Sequence, residues 1–219
     1  MTLKNSAVWL VLLVAGIGFD GPVTAAQHGE VDIAGKYERV QPPQPTQTEP
    51  QVEVLDVFWY GCPHCYDFLP HMERWEENKP EYASVRRMPA VFRKSWVAHA
   101  KAYYTAKLLG VADEIHRPLF EEIHEKGRRM VNKADLMAFF KRFGVSEQDF
   151  LDTFDSFAVQ SNVQRAITMQ DRYGVMGTPT VIVNGKYRVS GSLAGSYPNM
   201  VQVIDELVRR EHEATMAYQ

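Results

Sequence analysis

Cysteine is scarce in this sequence: there are two among 219 residues, beside a formal net charge of −3 and an apolar fraction of 45%. Two cysteines are too few for a disulfide framework or, alone, for a four-thiolate zinc site. A net charge near zero argues against a dedicated nucleic-acid-binding protein. No glycine-rich phosphate loop is present, which argues against a P-loop nucleotidase. Beyond the N-terminus there is no long apolar run, and this excludes a polytopic membrane protein.

The N-terminus has the pattern of a secretory signal peptide. Lys4 is followed by an apolar stretch at 7–19 and by small residues that end at Ala26. The stretch is shorter than the roughly 20 residues that span a bilayer, so we expect a signal peptide over 1–26 rather than an uncleaved anchor. Export implies an oxidising compartment, in which cysteines form disulfides. We therefore expect a periplasmic protein.

After the signal peptide, the chain changes from a polar segment to an apolar one. Residues 27–50 are polar and rich in proline, which predicts an extended arm or linker. The run VEVLDVFWY at 52–60 is almost unbroken apolar, β-branched or aromatic. Such a run predicts a strand buried on both faces of a central sheet. A second strand is expected at 84–91.

The middle of the chain has helical spacing, and strand character returns near the end. Helices are expected at 95–109, 112–125, 133–143 and 147–173. The charged residues at 121–129 predict a solvated helix face. Strands at 180–183 and 186–189 flank Asn184-Gly185, a strong hairpin turn, and a last amphipathic helix covers 199–213. This order predicts a mixed sheet with an inserted helical domain at 92–166, between sheet-forming parts at 51–91 and 167–219.

Both cysteines lie in one motif, Cys62-Pro63-His64-Cys65, at the start of a helical stretch. A helix N-terminus has unpaired N–H groups and partial positive charge, which stabilise a thiolate. The thiolate is the reactive form, so Cys62 is a candidate nucleophile. Pro63 suits the first turn because it needs no donor there, and His64 adds a cation or an N–H near the sulfur. Cys65, one turn further, suits a resolving role.

Two other interpretations of the motif are a structural disulfide and a zinc site. A structural disulfide that closes a loop of about 4 residues stabilises by only about 2 kcal/mol, a small gain for a domain large enough to fold on its own core. A zinc site that uses His64 or His71 lacks a second CxxC or HxxxH. Redox chemistry is therefore the favoured interpretation, without a metal.

Two segments together resemble the DsbA-type thiol:disulfide oxidoreductases of the thioredoxin superfamily. They are FWYGCPHCY at 58–66 and Gly-Thr-Pro-Thr at 177–180. The resemblance covers residues 50–212, and the predicted helical block matches the inserted helical domain of that family. It implies an α/β, thioredoxin-like fold with a mixed central sheet and an inserted helical domain.

The resemblance also assigns roles to the motif. Cys62 is implied to be the nucleophile that forms a mixed disulfide, and Cys65 its buried partner. Pro63 and His64 are implied to tune the thiolate. The redox-active Cys62–Cys65 disulfide then takes the place of a bound cofactor, so none is expected.

The downstream segment is implied to bind substrate. By resemblance, Pro179 is a cis-proline that faces the disulfide, and Thr178 offers its backbone to an extended substrate segment by β-addition. Family members differ between valine and threonine at the position of Thr178. Threonine there accompanies reductase or isomerase behaviour in some members, which bears on the assignment as an oxidase.

Asp56 stands out independently of any resemblance. It lies in the middle of the apolar run that should be buried on both faces. An unpaired buried carboxylate is costly, so Asp56 needs a partner, a raised pKa or a solvated opening in the sheet. The family places a buried acidic residue six positions before its nucleophile, and Arg87 in the next strand is the candidate partner. We expect both to tune the redox pair.

Together these observations predict a periplasmic thiol:disulfide oxidoreductase that donates its disulfide to reduced, exported proteins. By resemblance, its re-oxidant is a DsbB-like membrane quinone reductase. We expect a monomer that binds no nucleic acid. The alternatives are a reductase or isomerase that uses the same CxxC, and a non-catalytic peptide-binding chaperone module whose disulfide is structural.

Overall fold

The computed structural model describes residues 31–217, so the expected signal peptide (1–26) and the start of the arm lie outside the described residues. The strands are β1 (Glu38–Arg39), β2 (Val52–Phe58), β3 (Ala83–Pro89), β4 (Thr180–Val183) and β5 (Tyr187–Ser190). The helices are α1 (Pro63–Asn78), α2 (Val97–Leu108), α3 (Ala112–His124), α4 (Lys133–Lys141), α5 (Glu147–Phe154), α6 (Phe157–Arg172), α7 (Gly191–Ala194) and α8 (Tyr197–Met216). Of the helices within 31–217, none has the length and apolar character needed to cross a membrane.

The strands form one mixed sheet in the order β1-β5-β4-β2-β3. β2 and β3 are parallel, and every other neighbouring pair is antiparallel. β2 lies inside the sheet and all seven of its residues are buried, which accounts for its nearly continuous apolar sequence. Asn184 and Gly185, both with positive φ, form the turn between β4 and β5, as the Asn-Gly pair predicts.

Helices cover both faces of the sheet. On one face, Val54 of β2 packs in a cluster with Phe68 of α1 and Ile204 of α8. On the other face, Leu55 packs with Ala166 of α6. Successive strand residues alternate between faces, so Asp56 points to the same side as Val54, toward α1.

The inserted helices share a core with the end of β2 and with α1. Phe58 and Leu69 belong to the same buried cluster as Leu119 of α3, Phe140 of α4 and Phe150 of α5. The expected α/β architecture with an inserted helical block is therefore confirmed. The block is continuous in packing with the strand and the helix that flank the CxxC motif.

The described part of the expected arm is not a free linker. Glu38 and Arg39 pair with β5 at the edge of the sheet, and Ile33 and Val40 are buried at 1% and 3% exposure. The proline-rich composition does predict extended backbone. It does not show that β5 has an open edge to which that backbone can bond.

The expected helix at 147–173 is two helices. α5 ends at Phe154, and Ser156 begins α6 by accepting a hydrogen bond from the backbone N–H of Val159. Serine at this position is a standard N-cap. The expected domain boundary between 166 and 167 falls inside α6. The first half of that helix packs on α2 and the second half packs on the sheet.

Glu122 corrects the expectation that the charged residues at 121–129 form a solvated helix face. Its side chain is 1% exposed and lies among three cations, Lys126, Arg128 and Arg142. Burial opposes ionisation, but the hydrogen bonds and charges of Lys126 and Arg142 lower the pKa of Glu122 overall. The carboxylate therefore ties α3 to the start of the next segment and to the C-terminus of α4.

We expect Glu122→Gln to lower the free energy of unfolding by about 1–2 kcal/mol, because it removes charge-assisted hydrogen bonds from a buried site. The loss stays moderate because Lys126 and Arg142 are half-exposed and regain water. Urea unfolding of the dithiol and disulfide forms measures it. Glu122 does not touch the CxxC motif, so equal losses are expected; a loss confined to one redox form would contradict this role.

Candidate active site

The CxxC motif lies where β2 ends and α1 begins. Cys62 is the N-cap of α1, with φ −89° and ψ 116°, and Pro63 occupies the first turn. The N–H of Cys62 donates to the carbonyl of Trp59 at 2.9 Å, and the carbonyl of Cys62 accepts from the N–H of Cys65 at 3.1 Å. This geometry places the Cys62 sulfur at the N-terminus of α1, where the partial positive charge of the helix stabilises a thiolate.

The pKa of Cys62 is lowered from 9.0 to about 5. The largest cause is the hydrogen bond from the Cys65 thiol, followed by the side chain of Thr178 and the backbone N–H groups of Cys65 and His64; burial opposes them. The residue is 8% exposed. At neutral pH its sulfur is therefore a thiolate, the reactive form of cysteine.

Cys65 behaves in the opposite way. Burial raises its pKa well above 9.0, and the neighbouring Cys62 sulfur raises it further. The residue is 4% exposed and belongs to the buried cluster shared with the inserted helices. One turn of helix therefore separates a stabilised thiolate from a thiol that keeps its proton.

The downstream segment reaches the motif through the sheet. Thr180, the first residue of β4, pairs with Val57 near the end of β2, so the residues before Thr180 lie beside the start of α1. The Cys62 sulfur lies 3.4 Å from the carbonyl oxygen of Thr178, and the Thr178–Pro179 peptide bond is cis. Residues more than 110 positions apart in sequence therefore form one site.

His64 is exposed at the mouth of a cleft. Its Nδ1 lies 3.3 Å from the hydroxyl of Tyr197, the first residue of α8. The cleft has a volume of about 720 Å³, and its lining includes His64, Met176, Thr178, Pro179 and Tyr197. Met176 is 86% exposed, so an apolar side chain is presented to solvent beside the cleft.

Asp56 is 5% exposed and lies in register with Arg87 on β3. Burial raises its pKa to about 6; the charge of Arg87 lowers it and that of Glu76 raises it. Within residues 31–217, the Oδ1 atom has no hydrogen-bond partner. Asp56 is therefore buried without the solvated opening that one sequence interpretation offered.

Arg87 is near Asp56, yet its direct partners are other residues. Its guanidinium hydrogen-bonds to Glu76 of α1 and lies 3.9 Å from Asp113 of α3. No ion pair between Arg87 and Asp56 is present among residues 31–217. The charge of Arg87 still lowers the pKa of Asp56 from a distance.

Sequence reasoning missed three residues that contact this region: Tyr197 at His64, Glu76 at Arg87, and His124, which lies 2.8 Å from the carbonyl of Tyr60. Each is a common residue type on a helix surface. The local sequence contains no signal for their partners, because those partners are brought near only by helix packing.

Comparisons with known proteins agree with this geometry. The family model of the DSBA-like thioredoxin domain matches residues 53–200. The thiol:disulfide interchange protein DsbA of Pseudomonas syringae pv. tomato is 39% identical over 194 residues, 88% of this chain and 91% of the relative.

Solved structures give the same result. The crystal structure of Pseudomonas aeruginosa DsbA is 33% identical, with a TM-score of 0.78 over 83% of this chain and 95% of that one. The oxidoreductase DsbA from Xylella fastidiosa is 32% identical, with a TM-score of 0.77 over 81% of this chain and 96% of that one. The chain therefore belongs to the DsbA-like family of thioredoxin-fold disulfide oxidoreductases.

Proposed function

We propose that this protein donates the Cys62–Cys65 disulfide to reduced proteins exported to the periplasm. The observation that carries the proposal is the split between the two sulfurs: the pKa of Cys62 is lowered to about 5, and burial raises that of Cys65 well above 9.0. A low thiolate pKa stabilises the reduced form, so the disulfide form is a strong oxidant.

The reaction follows in two displacements. A substrate thiolate attacks the Cys62 sulfur; a substrate–Cys62 bond forms, the Cys62–Cys65 bond breaks, and Cys65 leaves and takes up a proton. A second substrate thiolate attacks the substrate sulfur of this mixed disulfide and expels the Cys62 thiolate. The substrate dithiol loses two electrons and becomes a disulfide, while the cysteine pair gains them and becomes a dithiol.

The leaving group of the second step favours this direction. A thiol with a low pKa leaves fast, so expulsion of the Cys62 thiolate is the easy second step. The reverse attack by Cys62 on a substrate disulfide is slow, because nucleophilicity falls as the thiol pKa falls. No bound cofactor takes part in either step.

The cleft beside Cys62 supplies a place for substrate. Thr178 and Pro179 form one wall next to the nucleophile, and an extended segment placed there can bond to the Thr178 backbone as an added strand. His64 and Met176 border the same cleft. Strand addition binds the substrate through its backbone, so it constrains few substrate side chains. This binding mode suits a broad range of unfolded substrates.

The remaining assignments rest on the resemblance and on the N-terminal pattern. The signal-like residues 1–26 support export to the periplasm. Repeated turnover needs an oxidant for the dithiol form, and a DsbB-like membrane quinone reductase is the partner that the family implies. We propose that the protein acts as a monomer.

The equilibrium reduction potential tests the function. It is measured against glutathione on the chain from residue 27 onward. DsbA and thioredoxin have known potentials of about −120 mV and about −270 mV. A value near the first supports disulfide donation; a value near the second overturns it in favour of a reductase.

Cys62→Ser separates the oxidoreductase from a chaperone module. Oxidative refolding of a reduced substrate protein should be lost in the variant, because no mixed disulfide can form. Retention of the full refolding yield by Cys62→Ser would show that the protein acts by binding peptides rather than by exchanging disulfides.

A further inference from the structure

One face of α3 contacts residues on both sides of the CxxC motif. His116, Phe120 and His124 recur every four residues along this helix, so they lie on one side of it. That side packs against Tyr60, which precedes the motif by two positions, and Tyr66, which follows it directly. The inserted helical block therefore contacts both sides of the redox centre through α3.

His124 makes the contact nearest to the motif. Its Nε2 lies 2.8 Å from the carbonyl oxygen of Tyr60. A carbonyl only accepts hydrogen bonds, so Nε2 carries the proton and donates. The bond holds the Tyr60–Gly61 peptide with its oxygen toward α3, one residue before the Cys62 nucleophile.

The same imidazole ring also packs on the other side of the motif. It stacks on the ring of Tyr66 with centroids 5.0 Å apart and planes 9° apart. The Tyr66 hydroxyl donates to Glu125. On the near side, the hydroxyl of the buried Tyr60 lies 3.0 Å from Nδ1 of His116. Both flanks of Cys62-Pro63-His64-Cys65 are thus held from α3.

The orientation of the Tyr60–Gly61 peptide matters for the thiolate. The next N–H along the chain, that of Cys62, closes a turn onto the Trp59 carbonyl at 2.9 Å. The backbone N–H groups of His64 and Cys65, at the start of α1, lower the pKa of Cys62. A carbonyl oxygen that rotated toward the sulfur would add a negative dipole end near the thiolate and oppose those N–H groups.

We propose that His124 is a positioning residue through which the inserted helical block sets the reduction potential of the Cys62–Cys65 pair. Its N–H keeps the Tyr60 carbonyl bonded to α3, so that the start of α1 presents only donors to the thiolate. This inference rests on the proposed function, since it concerns the same thiolate. It assigns a redox role to a residue that lies 62 positions from the nucleophile.

A merely structural His124 can be told apart from a positioning one by linkage. A structural contact stabilises the dithiol and disulfide forms equally, so its removal leaves the reduction potential unchanged. A contact that favours the thiolate stabilises the dithiol form more. Its removal therefore raises the pKa of Cys62 and makes the disulfide less oxidising.

Two substitutions isolate the N–H group. His124→Phe keeps a flat ring against Tyr66 and removes the donor, whereas His124→Gln keeps a donor and removes the ring. We expect Phe to lower the equilibrium constant for oxidation of glutathione about tenfold, which corresponds to about 30 mV. The Cys62 pKa, followed by thiolate absorbance, should rise with it, and Gln should stay within twofold of the unmodified protein.

Glu122→Gln is the matched control, because it lies on α3 and does not contact the motif. It should lower stability and leave the potential unchanged. Overlapping potentials for His124→Phe and the unmodified protein, together with lowered stability, would overturn the proposal. So would equal shifts in the Phe and Gln variants, since the ring rather than the donor would then be responsible.

A measurement on the unmodified protein remains decisive if His124→Phe does not fold. Nitrogen-15 NMR of the imidazole in the dithiol form should show the Nε2–H tautomer; the Nδ1–H tautomer would overturn the proposal. The function and this inference fail separately. A potential near that of thioredoxin rejects disulfide donation, while the difference between the Phe and Gln variants still reports on His124.

Discussion

The stability advantage of the dithiol form over the disulfide form will grow by about 3 kcal/mol between pH 5 and pH 8. Cys62 has a pKa of about 5 in the folded chain, against an ordinary value of 9.0. A group whose pKa is lowered by folding contributes stability that is full above its ordinary pKa and is lost as the pH falls through the folded value. Only the dithiol form carries this group.

The magnitude follows from linkage. The two titrations lie at about pH 5 and pH 9.0, so the window from pH 5 to pH 8 contains nearly three pH units of the difference, at about 1.4 kcal/mol each. We place the expected value near 3 kcal/mol rather than 4, because the Cys62 sulfur is partly screened by solvent. Cys65 adds little in this window, since burial keeps it protonated. A stabilised reduced form is established for DsbA; the pH dependence is what is expected here.

Urea unfolding of both redox forms at pH 5, 6, 7 and 8 measures this difference. Every titrating group other than the two cysteines is common to the two forms and cancels to first order. A Cys62→Ser, Cys65→Ser double variant should show the pH dependence of the disulfide form alone. A difference between the two redox forms that stays flat from pH 5 to pH 8 would show that the Cys62 thiolate is not stabilised by the fold.

Replacement of Asp56 by asparagine will stabilise the protein by about 3 kcal/mol at pH 8 and have little effect at pH 4. Burial raises the pKa of Asp56 from 3.8 to about 6. A raised pKa means that the protonated side chain is favoured in the folded state below pH 3.8, and this advantage is lost as the pH rises through 6. Two pKa units correspond to about 3 kcal/mol.

The surroundings of Asp56 explain why asparagine is expected to increase stability. The carboxylate is 5% exposed and its Oδ1 has no hydrogen-bond partner, so ionisation is poorly compensated. Arg87, the nearest cation in register, is already bound to Glu76. Asparagine keeps the shape and cannot ionise.

Thermal or urea unfolding of Asp56→Asn at pH 4, 6 and 8 checks the expectation in either redox form. Asp113→Asn is a suitable control because Asp113 also lies near Arg87, at 3.9 Å, but its side chain is 98% exposed. The control should change stability by less than 0.5 kcal/mol. An Asp56→Asn gain that is the same at every pH would point to packing rather than ionisation.

Local pattern predicted much of this fold. The two-sided apolar run at 52–60 gave the central strand, Asn184-Gly185 the hairpin, and Pro63 after Cys62 the start of α1. Each depends on backbone preferences or on burial periodicity within a few residues. The break at Ser156 was missed because the helical spacing continues across it.

Longer-range pairing was beyond local pattern. The proline-rich segment was expected to be a linker, since nothing within it reveals the open edge of β5. The sequence predicts a solvated Glu122. Its burial is not predictable from local pattern, because its three cations come from two different parts of the chain. Charged residues look alike in sequence whether they face water or one another.

By itself, the sequence determined the chemistry of this protein: a CxxC pair at a helix start, after a buried strand, commits it to thiol redox chemistry. Only the tertiary structure decided how the two sulfurs differ. The causes are the hydrogen bond from the Cys65 thiol to the Cys62 sulfur, the burial of Cys65, and the approach of Thr178 to Cys62. Thiol pKa values depend on groups within a few ångströms, and those groups come from three distant segments that meet only when the sheet and the helices pack.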